Sequence, residues 1–150
     1  MKDSVMSVDR AIEDKRLIRP FSYIGGKWTG GEGNDVLPVT DPATGDSVGE
    51  IARLTGADAT RAVDAAHEAF GTWSVALPQE RAAILRRWFR LMMDHREDLA
   101  RIMVAEQGKP ISEARGEIDY AASFVEFYAE ETRRPNIEGV TSHLPDAEVE

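Results

Sequence analysis

From Thr55 to Arg133 the apolar residues fall at helical spacing with only brief interruptions, so most of this chain is committed to helices. Strand-like stretches are short and lie at the two ends. A parallel sheet needs strands that alternate with helices, and that alternation is missing here. The chain therefore does not close such a sheet by itself.

Within the helical span the local signals set the boundaries. Thr55 followed by Asp58 is a capping-box-like start, with an acidic side chain in the first turn where the helix dipole favours it. Ala59, Ala62, Val63, Ala66, Ala69 and Phe70 continue that helix, and Gly71 is expected to close it. A second helix opens at Pro78, where the missing N–H costs nothing, with Ile84, Leu85, Trp88, Leu91 and Met92 as its apolar stripe. The polar run 94–98 divides it from a further stretch carrying Leu99, Ile102 and Met103, which ends at Gly108. The last helix starts at Lys109-Pro110 and runs through Ile111, Ala114, Ile118, Ala121, Ala122, Val125 and Tyr128 to about Arg133, before Pro135.

Ahead of the helices, Tyr23-Ile24 and Lys27-Trp28 flank Gly25-Gly26, a pair that tolerates the positive φ values of a two-residue hairpin turn. The segment from Gly30 to Gly45 reads as irregular chain, followed by a short strand over 47–52. Residues 1–20, with Val5, Val8, Ile12 and Leu17 among charges, suit a short amphipathic helix or a loosely docked arm. The end, Glu148-Val149-Glu150, has the look of an opening strand.

Charge narrows the partners. With 27 acidic against 18 basic residues, the net charge of -9 repels phosphate backbones and anionic membrane surfaces, so nucleic acid is not an expected partner. No stretch approaches the roughly 20 consecutive apolar residues of a membrane span. The first residues are too acidic for a signal peptide, and the chain reads as cytoplasmic.

Candidate chemistry is sparse. There is no cysteine, which removes disulfides, thiolate metal sites and a cysteine nucleophile together. His67, His95 and His143 show none of the close pairings of a metal site. The stretch GGEGND lacks the spacing and context of a nucleotide loop and reads as a flexible loop. Arg81, Arg86, Arg87 and Arg90 are expected to form salt-bridged surface with Glu80, Asp94 and Glu97. Trp73, Trp88 and Phe89 are expected in the core rather than as a stacking platform.

Four segments in order nevertheless resemble one family. YIGGKWTGG is similar to the opening hairpin of the aldehyde dehydrogenase superfamily, DPATGDSVGEIA to its turn and strand, GADATRAVDAAHEAFGTWS to its first helix, and EQGKPISEARGEIDYAASFVEFYAEE to its paired-helix signature. The likeness covers about residues 21–140 and is greatest to bacterial succinate-semialdehyde dehydrogenases.

The resemblance implies an α/β enzyme of which this chain is only the helical and β-hairpin N-terminal part of the dinucleotide-binding domain. Residues 1–20 form an arm and 21–150 the truncated NAD(P)-binding region, with the catalytic domain absent. The parent would be a homo-oligomer that oxidises a small aldehyde, succinate semialdehyde for preference, with NAD or NADP. A cysteine would attack the carbonyl and hydride would pass to the nicotinamide. The family's catalytic and cofactor-binding residues all match positions beyond this chain, so none is assigned here, and the chain alone is expected to be inactive and to bind neither cofactor.

Peripheral roles can be carried over. The resemblance places Glu117, Tyr120 and Phe124, which share a helix face at i, i+3 and i+7, on the wall of the substrate tunnel; ordinary helix packing with Glu117 facing solvent is the alternative. It also places the Thr40 carbonyl and the Glu106 carboxylate at a structural monovalent-cation site. The rival to the whole enzyme reading is a non-catalytic helical interaction or assembly module.

Overall fold

The computed structural model describes residues 8–134 except 32 and 34, together with 140–141 and 148–149. Four long helices make the body: α2 (Gly56–Trp73), α3 (Pro78–Asp94), α4 (Arg96–Gln107) and α5 (Ile111–Glu131). A one-turn helix α1 (Val8–Ala11) and a 3-10 turn at Lys15–Leu17 precede them. The strands form three separate antiparallel pairs: β1 (Ser22–Ile24) with β2 (Lys27–Thr29), β3 (Val36–Thr40) with β4 (Ser47–Ala52), and β5 (Val140–Thr141) with β6 (Glu148–Val149). The expected helical and hairpin architecture is present, and the described residues contain no parallel sheet.

The local signals act where they stand. Gly25 and Gly26 take φ of 56° and 80°, joining Ile24 to Lys27 in register, and Tyr23 faces Trp28 with ring centroids 5.1 Å apart. At the start of α2 the Thr55 backbone N–H donates to the Asp58 carboxylate at 2.8 Å, and the Asp58 N–H donates back to the Thr55 hydroxyl at 3.3 Å. Thr55→Ala removes the acceptor for that N–H, and we expect a loss of about 1 kcal/mol in a urea titration. A loss below a few tenths would mean that water replaces the cap.

Two expectations about element boundaries are corrected. The segment from Gly30 to Gly45 is not irregular throughout: Val36–Thr40 is a strand paired to β4, with a register shift at Val39/Thr40. Pro38 donates no hydrogen bond, which suits one strand of a two-stranded ribbon. Gly71 does not close α2, which continues to Trp73 because Gly71 keeps a helical φ and Ser74 supplies the cap. Gly108, in contrast, ends α4 at φ 70° as expected, and a Cβ added there would lie 2.9 Å from the Pro42 ring.

Packing centres on α5, which lies against both α3 and α4. Ala100 of α4 meets Ala114 and Ile118 of α5, with Leu99, Met103, Val104 and Ile111 around them. Ala82, Ala122 and Ala129 are also fully buried. These small side chains let helix backbones approach closely, and that closeness supplies the dispersion contacts that bulk would otherwise give.

The larger side chains point elsewhere. Trp88 is 55% exposed and Trp73 38%, so neither is core as expected; Ile84, Leu91 and Tyr128 are exposed as well, while Phe89 is half-buried. Alanine fills the α3–α5 seam, leaving the aromatic edge of the stripe outside it. The expected ion pairing of the α3 arginines is also corrected. Arg86 reaches across to Glu130 of α5 at 2.8 Å, and Glu80 instead accepts the Leu77 N–H.

The N-terminal arm is docked. Val8 and Ile12 are buried, and the N–H groups of Glu13 and Asp14 both donate to the Asp98 carboxylate of α4, at 2.9 and 2.8 Å. Arg101 adds a bond to the Ala11 carbonyl at 2.8 Å. Val5, His143, Pro135 and Glu150, to which expectations attached, lie outside the described residues.

Candidate functional site

The face of α5 expected to line a tunnel starts just after the Gly108 turn. Tyr120 and Phe124, one helical turn apart, meet edge-on with centroids 4.8 Å apart, and both are exposed. Glu117, a turn earlier, is held by an ion pair to Lys109. The structure therefore brings Tyr120 and Phe124 together and turns Glu117 toward the helix start.

The two residues expected at a cation site are less closely joined. Glu106 lines a cleft of about 140 Å³ between the arm, the β3–β4 ribbon and α4, shared with Glu50 and Val39. Thr40, the next residue after Val39, is exposed at the register shift and does not line that cleft. Among the described residues no group of three or more acidic or histidine side chains converges as a metal site.

The Gly31 N–H donates to the Thr29 hydroxyl at 3.2 Å, and a Cβ at Gly31 would meet Leu54 at 2.9 Å and Asp58 at 3.2 Å. The backbone at Gly31 comes close to the protein's own side chains.

Electrostatically the helices are tied by charge-assisted pairs. Arg96 grips Asp119 through two bonds at 2.5 and 2.6 Å, and Arg115 grips Glu97 at 2.6 and 2.9 Å, locking α4 to α5 at their outer edges. Sequence reading missed these pairs because the partners lie far apart in the chain. The same contacts lower the carboxyl pKa values: Arg96 does so for Asp119, Arg115 for Glu97, and the donated N–H groups of Asp14 and Glu13 for Asp98.

A carboxyl whose folded pKa is depressed stabilises the fold above its unfolded value and loses that contribution as pH falls through the folded one. The urea midpoint should stay level from pH 7 to about 5 and fall progressively below about 4, where unfolded carboxyls take up protons first. A midpoint unchanged down to pH 3 would contradict these pairings.

The hydroxyls of Thr60, Thr72, Ser74, Ser123 and Thr132 donate to carbonyls three or four residues back, and the chain has no cysteine. His95 stands 3.9 Å from the Asp14 carboxylate at the arm junction. No helix among the described residues is long and apolar enough to cross a membrane.

The described residues thus form four long helices with aromatic side chains turned outward, flanked by short antiparallel ribbons. The chain belongs to the aldehyde dehydrogenase family, whose model matches residues 28–149. It is 46% identical over 136 residues to the NADP(+) succinate-semialdehyde dehydrogenase of Escherichia coli, covering 90% of this chain and 28% of that protein. It is 44% identical over 135 residues to a glutarate-semialdehyde dehydrogenase of Pseudomonas putida, with the same coverage of 90% and 28%. The crystal structure of a succinate-semialdehyde dehydrogenase from Burkholderia pseudomallei superposes with a TM-score of 0.83 at 46% identity, over 91% of this chain and 28% of that one. The chain thus spans somewhat more than a quarter of the length of these relatives.

Proposed function

We propose that the chain is the N-terminal scaffold of an NAD(P)-dependent aldehyde dehydrogenase that oxidises succinate semialdehyde to the dicarboxylic acid. The observation that carries the reading is the 46% identity to the E. coli enzyme over nearly all of this chain, accompanied by a matching fold in the Burkholderia structure. Succinate and glutarate semialdehydes share an aldehyde at one end and a carboxylate at the other, so a short aldehyde with a distal anionic group is the substrate class. The nucleophile, the activating base and the cofactor pocket belong to polypeptide outside these residues. The aromatic pair Tyr120 and Phe124, with Glu117 beside it, contributes tunnel wall. The Thr40 carbonyl and Glu106 carboxylate, oxygen donors suited to a hard ion, contribute to a monovalent-cation site. The parent works as a homo-oligomer in the cytoplasm.

The test uses the intact gene product. Reduction of NAD or NADP should depend on aldehyde, with kcat/KM at least about tenfold higher for succinate semialdehyde than for butanal, as loss of one charged contact costs on that order. Equal or faster turnover of butanal would overturn the substrate class. An intact mass matching residues 1–150, or no turnover with any aldehyde, would overturn the enzyme reading in favour of a non-catalytic module.

A further inference from the structure

Arg81 stands at the start of α3, beside the end of α5. Its Nε is buried and has no hydrogen-bond partner among the described residues. The neighbouring carboxylates are engaged elsewhere: Glu80 accepts the Leu77 N–H, Glu130 pairs with Arg86, and Glu131 pairs with Arg134 at 2.7 Å. Arg133 likewise has no ion pair among the described residues, although the chain carries a net charge of -9. Arg81 as a whole is half-buried, but a buried guanidinium nitrogen without an acceptor loses its hydration and gains nothing in exchange, so native structures seldom leave one incomplete.

The surroundings say what would complete it. Arg81 lies between two clefts. One, of about 510 Å³, runs between the start of α3 and the end of α5 and is basic on balance, bordered by Arg133, Arg134 and Tyr128, with Glu131 as its one carboxylate. The other, of about 650 Å³, runs between α2 and α3 and is mostly apolar, bordered by Trp73, Ala76 and Ile84, with Thr72 and Glu80 as its polar members beside Arg81. A free inorganic anion would fill the first and leave the second wet. A polypeptide segment with apolar side chains on one side and a carboxylate on the other matches both.

We infer that the two clefts flanking Arg81 form a docking surface for a carboxylate-bearing, otherwise apolar segment of the same enzyme's remaining polypeptide, whose acid pairs with Arg81. This rests on the reading above, since it needs the polypeptide that the relatives carry beyond the quarter of their length matched here.

The experiment replaces Tyr128, at the rim of the basic cleft, with the photoreactive p-benzoylphenylalanine in the intact gene product, and identifies the cross-linked peptide by mass spectrometry. The expected product is a cross-link to a peptide beyond residue 150 of the same polypeptide that contains Asp or Glu. Neutralising that acid should then lower the thermal midpoint of the otherwise unaltered protein, and add little in an Arg81→Gln background. A cross-link to residues 1–150, from the same or a second copy, a peptide without an acid, capture of water alone, or fully additive effects of the two substitutions would each overturn the inference. If the intact mass ends at residue 150, the enzyme reading falls too; an active, longer product that cross-links elsewhere removes only the docking surface.

Discussion

Truncating Ile118 to alanine is expected to cost about 2–5 kcal/mol of unfolding free energy, the range for deleting a buried aliphatic side chain and leaving a cavity. Ile118 is the one large residue in the buried cluster it forms with Ala100 and Ala114. Leu99, Met103, Val104 and Ile111 pack around it and can move part-way into the space, whereas the alanine backbones are already in close contact, so the middle of the range is the expected one. Urea unfolding gives the measurement, and Ile118→Val serves as the control at about 1 kcal/mol. A loss under 1 kcal/mol for the alanine variant would mean that the seam between α4 and α5 repacks.

The second large effect is expected at Asp98. Replacing it with alanine leaves the N–H groups of Glu13 and Asp14 without their acceptor and should cost about 2–3 kcal/mol, the usual range for hydrogen bonds to an ionised group. The location of the damage distinguishes this change from Ile118→Ala. Amide exchange should speed up across residues 8–17 and stay slow in α5, because the arm detaches while the α4–α5 seam remains intact. Asp98→Asn should fall between the two, retaining one oxygen acceptor but not the charge. Uniform acceleration across all helices would show that Asp98 supports the core rather than the arm.

Much of the fold was legible because its signals are local. Gly25-Gly26, the Thr55–Asp58 cap, Pro78 and Gly108 each fix a boundary by their own backbone chemistry, and each acts where it was expected to. Strand β3 was not legible, since Pro38 reads as a strand breaker and only its pairing with β4 makes a strand of it. The core was misjudged for a related reason. Period alone marks Trp88 and Leu91 as interior, whereas the helix seam is filled by Ala82, Ala122 and Ala129, whose small size is unremarkable in sequence. The site was legible only as resemblance. Tyr120 and Phe124 do share an exposed face, but nothing in their spacing carries chemistry, and the arm's attachment to Asp98 joins residues too distant for any periodicity to reveal.

The attachment of the arm also fixes an order of events. Ala100, Ala114 and Ile118 come from consecutive helices, so their contact closes only a short loop and can form as soon as α5 is complete. The bond from Glu13 to Asp98 spans 85 positions and has nothing to close upon until α4 exists. Residues 8–14 are synthesised before α4 yet find their place after it, and the arm's docking reports that the helical pair behind it is already built.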